Sequence, residues 1–491
     1  MGFVSAYLKE QKRYTAKELS SIFCYTDSET EKFLKDLKSF GVVKAVKNEP
    51  KQKDLSDLLE EDIEISDNNI SNDEFFYVFT FVGVIVYGNR VLKCYPKYIS
   101  SEEPLEEVKQ VLKVLNKYSA SEQIVKMFNA SDQQMSFNLL AIILYLFQDY
   151  YENNIYINVE DIIETNGEGN ILWNQTINDG FAIIRDNHPY YVDLYTSRVV
   201  DDEYDFFTRL HKVVLTSCSK QLEESDLLSL FDYEPIALSE ENLSDFGELD
   251  YILYRIQNEL NVQFNTRKQL VLKSLYAFIS QQKSLTDIGS ISLFGTTSFN
   301  LVWEKVCAEV FDNKLYTDLT KLKLPVQLND AYRNKGSLID IIEKPLWYST
   351  NTFGESFHKE SSDTLRPDLI SIYNDEGKYV FVIFDAKYYR LQLAEDKVLS
   401  GNPGVGDVTK QFLYQLAYKS FVQVHCIDKV FNCFLMPTDS NEVVSIGYTT
   451  MPMLEELDLE HIEIRLMPAS NMYYCYLENK KLSFKDAKLI I

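Results

Sequence analysis

Two apolar runs, LISIY at 369–373 and YVFVIF at 379–384, enclose the polar stretch Asn374-Asp375-Glu376-Gly377-Lys378. Apolar segments on either side of a short glycine-containing break predict a β-hairpin. If the turn centres on Glu376-Gly377, antiparallel pairing sets Asp368, of Arg366-Pro367-Asp368, opposite Asp385, of Phe384-Asp385-Ala386-Lys387. Opposed residues hold their Cβ atoms about 4.5–5.5 Å apart. Two carboxylates at that range repel unless a positive group lies between them, and a divalent metal is the natural occupant. Side chains alternate along a strand, so Asp385 and Lys387 share a face while Ala386 turns into the core.

That arrangement suits phosphodiester hydrolysis. Hard oxygen ligands hold Mg²⁺, which keeps several waters and accepts a phosphate oxygen. The metal offsets charge developing on the phosphate and lowers the pKa of water, while Lys387 acts as a point charge. The acid-x-lysine triplet alone says little, since Asp36-x-Lys38, Glu395-x-Lys397 and Glu478-x-Lys480 occur elsewhere in the chain. Only the triplet at 385–387 ends a strongly apolar strand with a Pro-Asp opposite. The competing view is an ordinary hairpin whose Asp and Lys form an ion pair at its end.

Two flanking segments add candidates. After the strand-like ISLFG, the run SFNLVWEKVC predicts a helix capped by Ser298 with an apolar face of Phe299, Val302, Trp303, Val306 and Val310. Glu304 lies at the edge of that face, either as a third acid or as a solvated helix residue. Downstream, DVTKQFLYQLAYK predicts a helix with Phe412, Gln415, Leu416 and Lys419 along one stripe. A glutamine on a largely apolar stripe is costly unless bonded, so Gln415 is expected to meet a polar group. Lys410 and Lys419 are expected to help gather phosphates, with Arg366, Lys378 and Arg390 nearby.

The chain has 491 residues, 45% of them apolar and 25% charged, which fits roughly three or four folded domains. Residues 1–50 predict helix, turn, helix and strand, a winged-helix pattern. Thr15-Ala-Lys-Glu18 and Ser28-Glu-Thr-Glu31 serve as its capping boxes and Gly41 closes the second helix. That second helix mixes Asp27, Glu29, Glu31 and Asp36 with Lys32, Lys35 and Lys38, a poor DNA-reading face. Residues 51–74 hold an acidic linker or loop, with nine acids and no base from 54 to 74. Residues 75–285 form a mixed α/β region. In it FFYVFTFVGVIVYGNRVLKCYPKYI predicts two strands around Gly88-Asn89, and SFNLLAIILYLFQDYY a core helix. A loop leading into short strands is expected near 167–191, and a long helix or helix pair over about 244–285. Residues 286–491 carry the hairpin.

Net charge is −25, which repels phosphate and disfavours nonspecific coating of nucleic acid. Seven scattered cysteines without a C-x-x-C, and five dispersed histidines, leave disulfide, zinc and His-centred triad chemistry poorly supported. The longest apolar run, LLAIILYLF, is half of what crosses a bilayer. The start, MGFVSAYLKEQKRY, lacks the pattern of a secretion signal. No membrane association and a cytoplasmic location are therefore expected. The phosphate-loop motif G-x-x-x-x-G-K-[ST] does not occur, so no nucleotide is expected to be bound by this protein.

The pieces RPD…FDAK, Trp303-Glu304 and YQLAY together resemble the PD-(D/E)xK nuclease superfamily. More narrowly, GTTSFNLVWEKVC, PLWY, LRPDLI, FDAKYY, DVTKQFLYQLAYK and VFNCFLMP resemble the LlaJI family of restriction endonuclease subunits, relatives of McrC. FVGVIVYGNRVLKCYPKY fits the same family's N-terminal half, and the likeness is strongest over about 290–437. The resemblance implies an α+β multidomain protein whose C-terminal domain is an α/β/α restriction-endonuclease-like fold. It implies Asp368, Asp385 and Lys387 as the metal site, with the Ala386 carbonyl as a further ligand. Glu304 would be the helix acid and Gln415 the helix glutamine, with Mg²⁺, or Mn²⁺ in its place, as cofactor. The partners it implies are double-stranded DNA and a separate McrB-like AAA+ GTPase, in a bacterial antiviral restriction system. The rivals are a PD-(D/E)xK nuclease acting alone in repair or transposition, and a non-catalytic subunit that docks on the GTPase and stimulates it.

Overall fold

In a computed structural model of the protein, which describes residues 4–47, 75–120, 139–202, 204–281, 291–396 and 398–490, threonines start the first two helices. Thr15 caps Ala16–Phe23 through a reciprocal box with Glu18, as the sequence predicts. The second box differs from expectation: Thr26 and Glu29, not Ser28 and Glu31, open the helix Asp27–Ser39. Both tetrads satisfy the pattern, but the earlier start adds helical hydrogen bonds, among them Thr30 N–H to Thr26 C=O at 2.9 Å. Gly41 follows the helix end, its N–H donating to Lys38 C=O at 2.9 Å while Val42 N–H reaches Leu37 C=O at 3.3 Å. This is the paired Schellman closure. The strand Val43–Lys47 then pairs with Phe75–Phe79, which also pairs with Arg13–Tyr14.

The predicted two-strand segment after residue 74 is three strands, Phe75–Phe79, Val82–Tyr87 and Arg90–Tyr95. Thr80 lies between the first two, its N–H donating to Val42 C=O at 3.0 Å, one step beyond the Val43–Phe79 pair. The turn at Gly88-Asn89 is as expected. The acidic stretch 54–74 lies outside the described residues.

The described residues fall into two compact units, one of Val86–Val91 and Asp132–Phe294, the other of Val4–Ile85, Leu92–Ser131 and Gly295–Ile491. The first unit holds the core helix Leu139–Asn153 and the helix pair Leu249–Val262 and Thr266–Gln281. Asn265 separates that pair, its side chain accepting Lys268 N–H at 3.1 Å. Asp149, buried on the core helix, is tied to Arg267 at 2.8 Å. The Gly- and Asn-rich stretch contains strands and also a short helix, Trp173–Asp179, which the sequence reading does not anticipate. Its buried Thr176 accepts Tyr195 N–H at 3.0 Å.

In the second unit a five-stranded sheet runs in the order Leu369–Asp375, Lys378–Ala386, Lys429–Thr438, Ile462–Pro468, Val444–Thr449. The outer pairs are antiparallel and the inner ones parallel. Seven consecutive residues, Val380 to Ala386, are buried, as expected of a strand covered on both faces. Phe381 and Ile383 pack with Tyr414, Tyr418 and Phe421 of the helix Val405–Val424. From the alternate face, Phe384 stacks near Phe311 at 4.7 Å, at the end of the helix Phe299–Val310. Trp303 of that helix donates its indole N–H to Leu435 C=O at 3.0 Å. The sheet thus has helices on both sides.

Gly295 enters this unit with φ 153°, and a Cβ there would lie 2.2 Å from Val82 C=O and 2.6 Å from Phe81. Gly295→Ala is expected to destabilise the fold by about 2 kcal/mol or more. Thermal unfolding checks it, and an unchanged Tm would contradict this packing.

Candidate functional site

The hairpin forms with the predicted register. Leu369 pairs with Phe384 and Asp375 with Lys378, and the turn residues Glu376 and Gly377 both take positive φ. One step beyond the last pair, Asp368 faces Asp385. Asp368 also reaches the residue after Asp385: Ala386 N–H donates to Asp368 Oδ2 at 2.9 Å. Asp368 is braced from behind, since Asn313 donates to its backbone carbonyl oxygen at 3.2 Å and accepts Ile370 N–H at 3.0 Å. Tyr414 holds the preceding loop by donating to Arg366 C=O at 2.9 Å.

Lys387 completes the group. Its Nζ lies 3.1 Å from Asp385 Oδ1 and 3.1 Å from Asp407 Oδ1. The contact to Asp407 is a hydrogen bond. Asp385 Oδ1 is buried, and the Lys387 ammonium is the positive group beside it. Glu304 is half-buried and interacts electrostatically with Lys387, Asp385 and Arg366. Four carboxyls, those of Asp368, Asp385, Asp407 and Glu304, and the Lys387 ammonium therefore share one end of the sheet.

Charge is unfavourably placed for a bare site. Burial pushes the Asp385 carboxyl well up, and the neighbouring Asp368 adds to it. Asp368 is raised by burial and by Glu304, against the Ala386 N–H and Lys387. Glu304 is raised mainly by burial, with Asp385 adding. Burial pulls Lys387 down, but Asp385, Asp407 and Asp368 outweigh it and hold the ammonium above the ordinary lysine value. One ammonium does not cancel this much buried acid, and a divalent cation would.

The donor set suits a hard ion held partly by solvent. Among the described residues no three His, Cys, Asp or Glu side chains form a ready-made cage. Two carboxylates and the Ala386 carbonyl, with water filling the rest, is the mode Mg²⁺ accepts. The buried Asp385 Oδ1, beside the Lys387 ammonium and facing Asp368, has the hard-oxygen chemistry such an ion takes.

Gln415 meets a polar group as expected, its Oε1 accepting from Asn432 at 3.3 Å. The residue nearer the acids is Gln411, one turn earlier and fully buried, whose amide donates to Ile383 C=O at 3.1 Å. Helical spacing puts Gln411 on the same stripe as Gln415 and is the signal that could have found it. Asp407 is legible in the sequence only as an acid in a helix first turn. Ser298 sits at its helix start without capping it; its N–H goes to Thr296 Oγ1 at 3.0 Å instead.

Lys419, expected to gather phosphates, and Lys378, expected nearby, do not belong to the site. Lys378 pairs with Asp375 at the turn end of the hairpin, about 23 Å along the strand from Asp385. Lys419 lies about 18 Å along its helix from Asp407 and donates to Leu457 C=O at 2.8 Å. Lys410 and Arg390 are exposed, and Arg366 remains beside Asp368.

Comparison with known proteins matches residues 81–466 to the LlaJI restriction endonuclease family. A curated relative, the Type II restriction enzyme BsuMI component YdjA of Bacillus subtilis (strain 168), is 28% identical over 424 residues, covering 83% of each sequence. Two solved assemblies of Thermococcus gammatolerans also match, each at low similarity. One, McrB AAA+ hexamers with bound McrC, covers 97% of this protein and 99% of the other at 12% identity and a TM-score of 0.36. The second, an McrBC complex, covers 61% and 85% at 11% identity and a TM-score of 0.25. At those scores the likeness fixes no part of the fold. The family match spans well over half the sequence and includes every residue of the site just described, so the protein belongs to the LlaJI restriction endonuclease family.

Proposed function

We propose that this protein is the DNA-cleaving subunit of a GTP-dependent restriction system, hydrolysing phosphodiester bonds with Mg²⁺ or Mn²⁺. The observation that carries the reading is the hairpin register, which opposes Asp368 and Asp385 and ends on Lys387. Family membership and the name of the Bacillus relative, a restriction enzyme component, support the activity class. On this reading the five-stranded sheet with its helices is a PD-(D/E)xK core. The helices Ala16–Phe23 and Asp27–Ser39 with their small sheet are a winged-helix-like unit. The protein acts in the bacterial cytoplasm.

Each residue has a distinct task. Asp368, Asp385 and the Ala386 carbonyl would hold the ion, and Glu304 is the further acid beside them. When bound, such an ion offsets charge developing on a phosphodiester and makes water acidic enough to attack. Lys387 stays protonated between Asp385 and Asp407 and supplies a fixed positive charge to the phosphate. Gln411 and Gln415 hold the metal-bearing strand and its neighbour against the helix Val405–Val424. Double-stranded DNA is the substrate. By resemblance, an AAA+ GTPase delivers it, a division of labour that suits a protein with net charge −25.

Plasmid cleavage with Mg²⁺, with and without the neighbouring GTPase and GTP, tests this reading. Lys387→Ala and Asp385→Ala are each expected to lower cleavage about a hundredfold or more while the complex still forms. Cutting by the protein alone at physiological salt would favour the autonomous nuclease. GTPase stimulation with no cutting under any condition would favour the docking subunit.

A second test is the pH dependence of stability in chelator. A carboxyl raised in the folded state binds its proton more tightly there than when unfolded, so ionising it subtracts stability. The loss begins as pH passes the ordinary aspartate value of about 4 and is complete above the raised one. Asp385→Asn removes that cost and leaves Lys387 paired with Asp407. Its Tm is expected to exceed wild type by about 2–4 °C at pH 7.5, with the gain shrinking toward pH 4. A variant less stable at pH 7.5 would contradict the charge balance described.

A further inference from the structure

The turn that follows the first strand is basic in sequence, Lys9-Glu10-Gln11-Lys12-Arg13, and the proposed site has no use for it. Lys12 N–H donates to Lys9 C=O at 3.3 Å, with Gln11 at φ 59°, so the two lysines stand at the ends of one tight turn. Glu10 between them does not neutralise them. It is buried, and its carboxylate accepts the Tyr388 hydroxyl and, at 3.1 Å, the Lys97 N–H. Lys97 in turn lies 4.5 Å from the centre of the Tyr388 ring and donates to Gln11 Oε1 at 3.1 Å. Glu10 therefore pins the turn to the residue that follows Lys387.

The consequence is a collection of cations beside the sheet end that carries the carboxylates. Lys12 and Arg390 are exposed and Lys9 is half-buried. Burial first, then Arg390 and Lys12, hold Lys9 below the ordinary lysine value, with Asp439 opposing them. Gathering like charges costs free energy that a bound anion recovers. Arg390 lies three residues beyond Lys387 on the same segment, so an anionic polymer touching the patch continues toward the proposed cut site.

We propose that Lys9, Lys12 and Arg390 form a phosphate-backbone contact for duplex DNA, held in place by the Glu10–Tyr388 hydrogen bond. The N-terminal unit thereby meets DNA through its first turn and not through its second helix. The inference rests on the nuclease reading for its direction along the DNA, but binding tests it without cleavage. The experiment uses the full-length protein with Asp385→Asn and a fluorescent 30-base-pair duplex of mixed sequence, titrated between 50 and 200 mM salt. Lys9→Gln/Lys12→Gln/Arg390→Gln is expected to weaken binding about tenfold or more at 100 mM salt. Its salt slope should be shallower by about 2–3, the value for three lost phosphate contacts. Lys32→Gln/Lys35→Gln on the second helix should stay within about twofold. Equal Tm values for both variants exclude misfolding, and Lys9→Arg/Lys12→Arg should restore binding if the turn variant is unstable. Loss in the helix variant instead, no change in either, or no duplex binding by the parent at 50 mM salt would each overturn the proposal. A wild-type complex that binds DNA through this patch but never cuts would sink the nuclease reading and leave the patch standing.

Discussion

The structure of the site depends on one constraint, the register of a two-stranded pairing. With Asp375 opposite Lys378 at the turn, every later pair is set, and the last step brings Asp368 to Asp385. A slip of one residue would turn Asp385 to the other face of the sheet and break the pair. Apolar burial enforces the register, because Ile370, Phe381 and Ile383 share one core with Tyr418 and Phe421. The energy that places two like charges together therefore comes from residues that carry no charge. This is how a fold can hold an electrostatically costly cluster of carboxyls.

What the sequence reveals is local. The hairpin, its turn and the opposition of the two acids follow from alternation and a glycine, and the structure has all three. The apolar face of the helix Phe299–Val310 and a polar partner for Gln415 follow from helical spacing. What stays hidden in the sequence depends on distance in space. Asp407 reaches Lys387 across 20 residues and Glu10 reaches Tyr388 across 378, and neither separation leaves a periodic trace. The choice of Thr26 over Ser28 is not legible because two overlapping tetrads carry the same signature. Closeness in sequence suggests Lys378 for the site, although the hairpin itself sends it to the opposite end.

On the proposed function, acidity and DNA cleavage are compatible because cations gather near the site. The protein as a whole repels phosphate, while Lys387, Arg366, Arg390 and the basic turn at residues 9–13 lie in one unit with the carboxylates. On that reading the protein binds DNA weakly unless the DNA is presented to that face, which would restrain cutting where no partner delivers a substrate.

The central claim is that the opposed carboxylates form a divalent-metal site, and Mn²⁺ binding to the full-length protein tests it most directly. Titration followed by electron paramagnetic resonance should show Mn²⁺ taken up by the wild type, displaced by Mg²⁺, and lost in Asp368→Asn and Asp385→Asn. Retention of the same uptake in both variants would place the metal elsewhere and contradict the account.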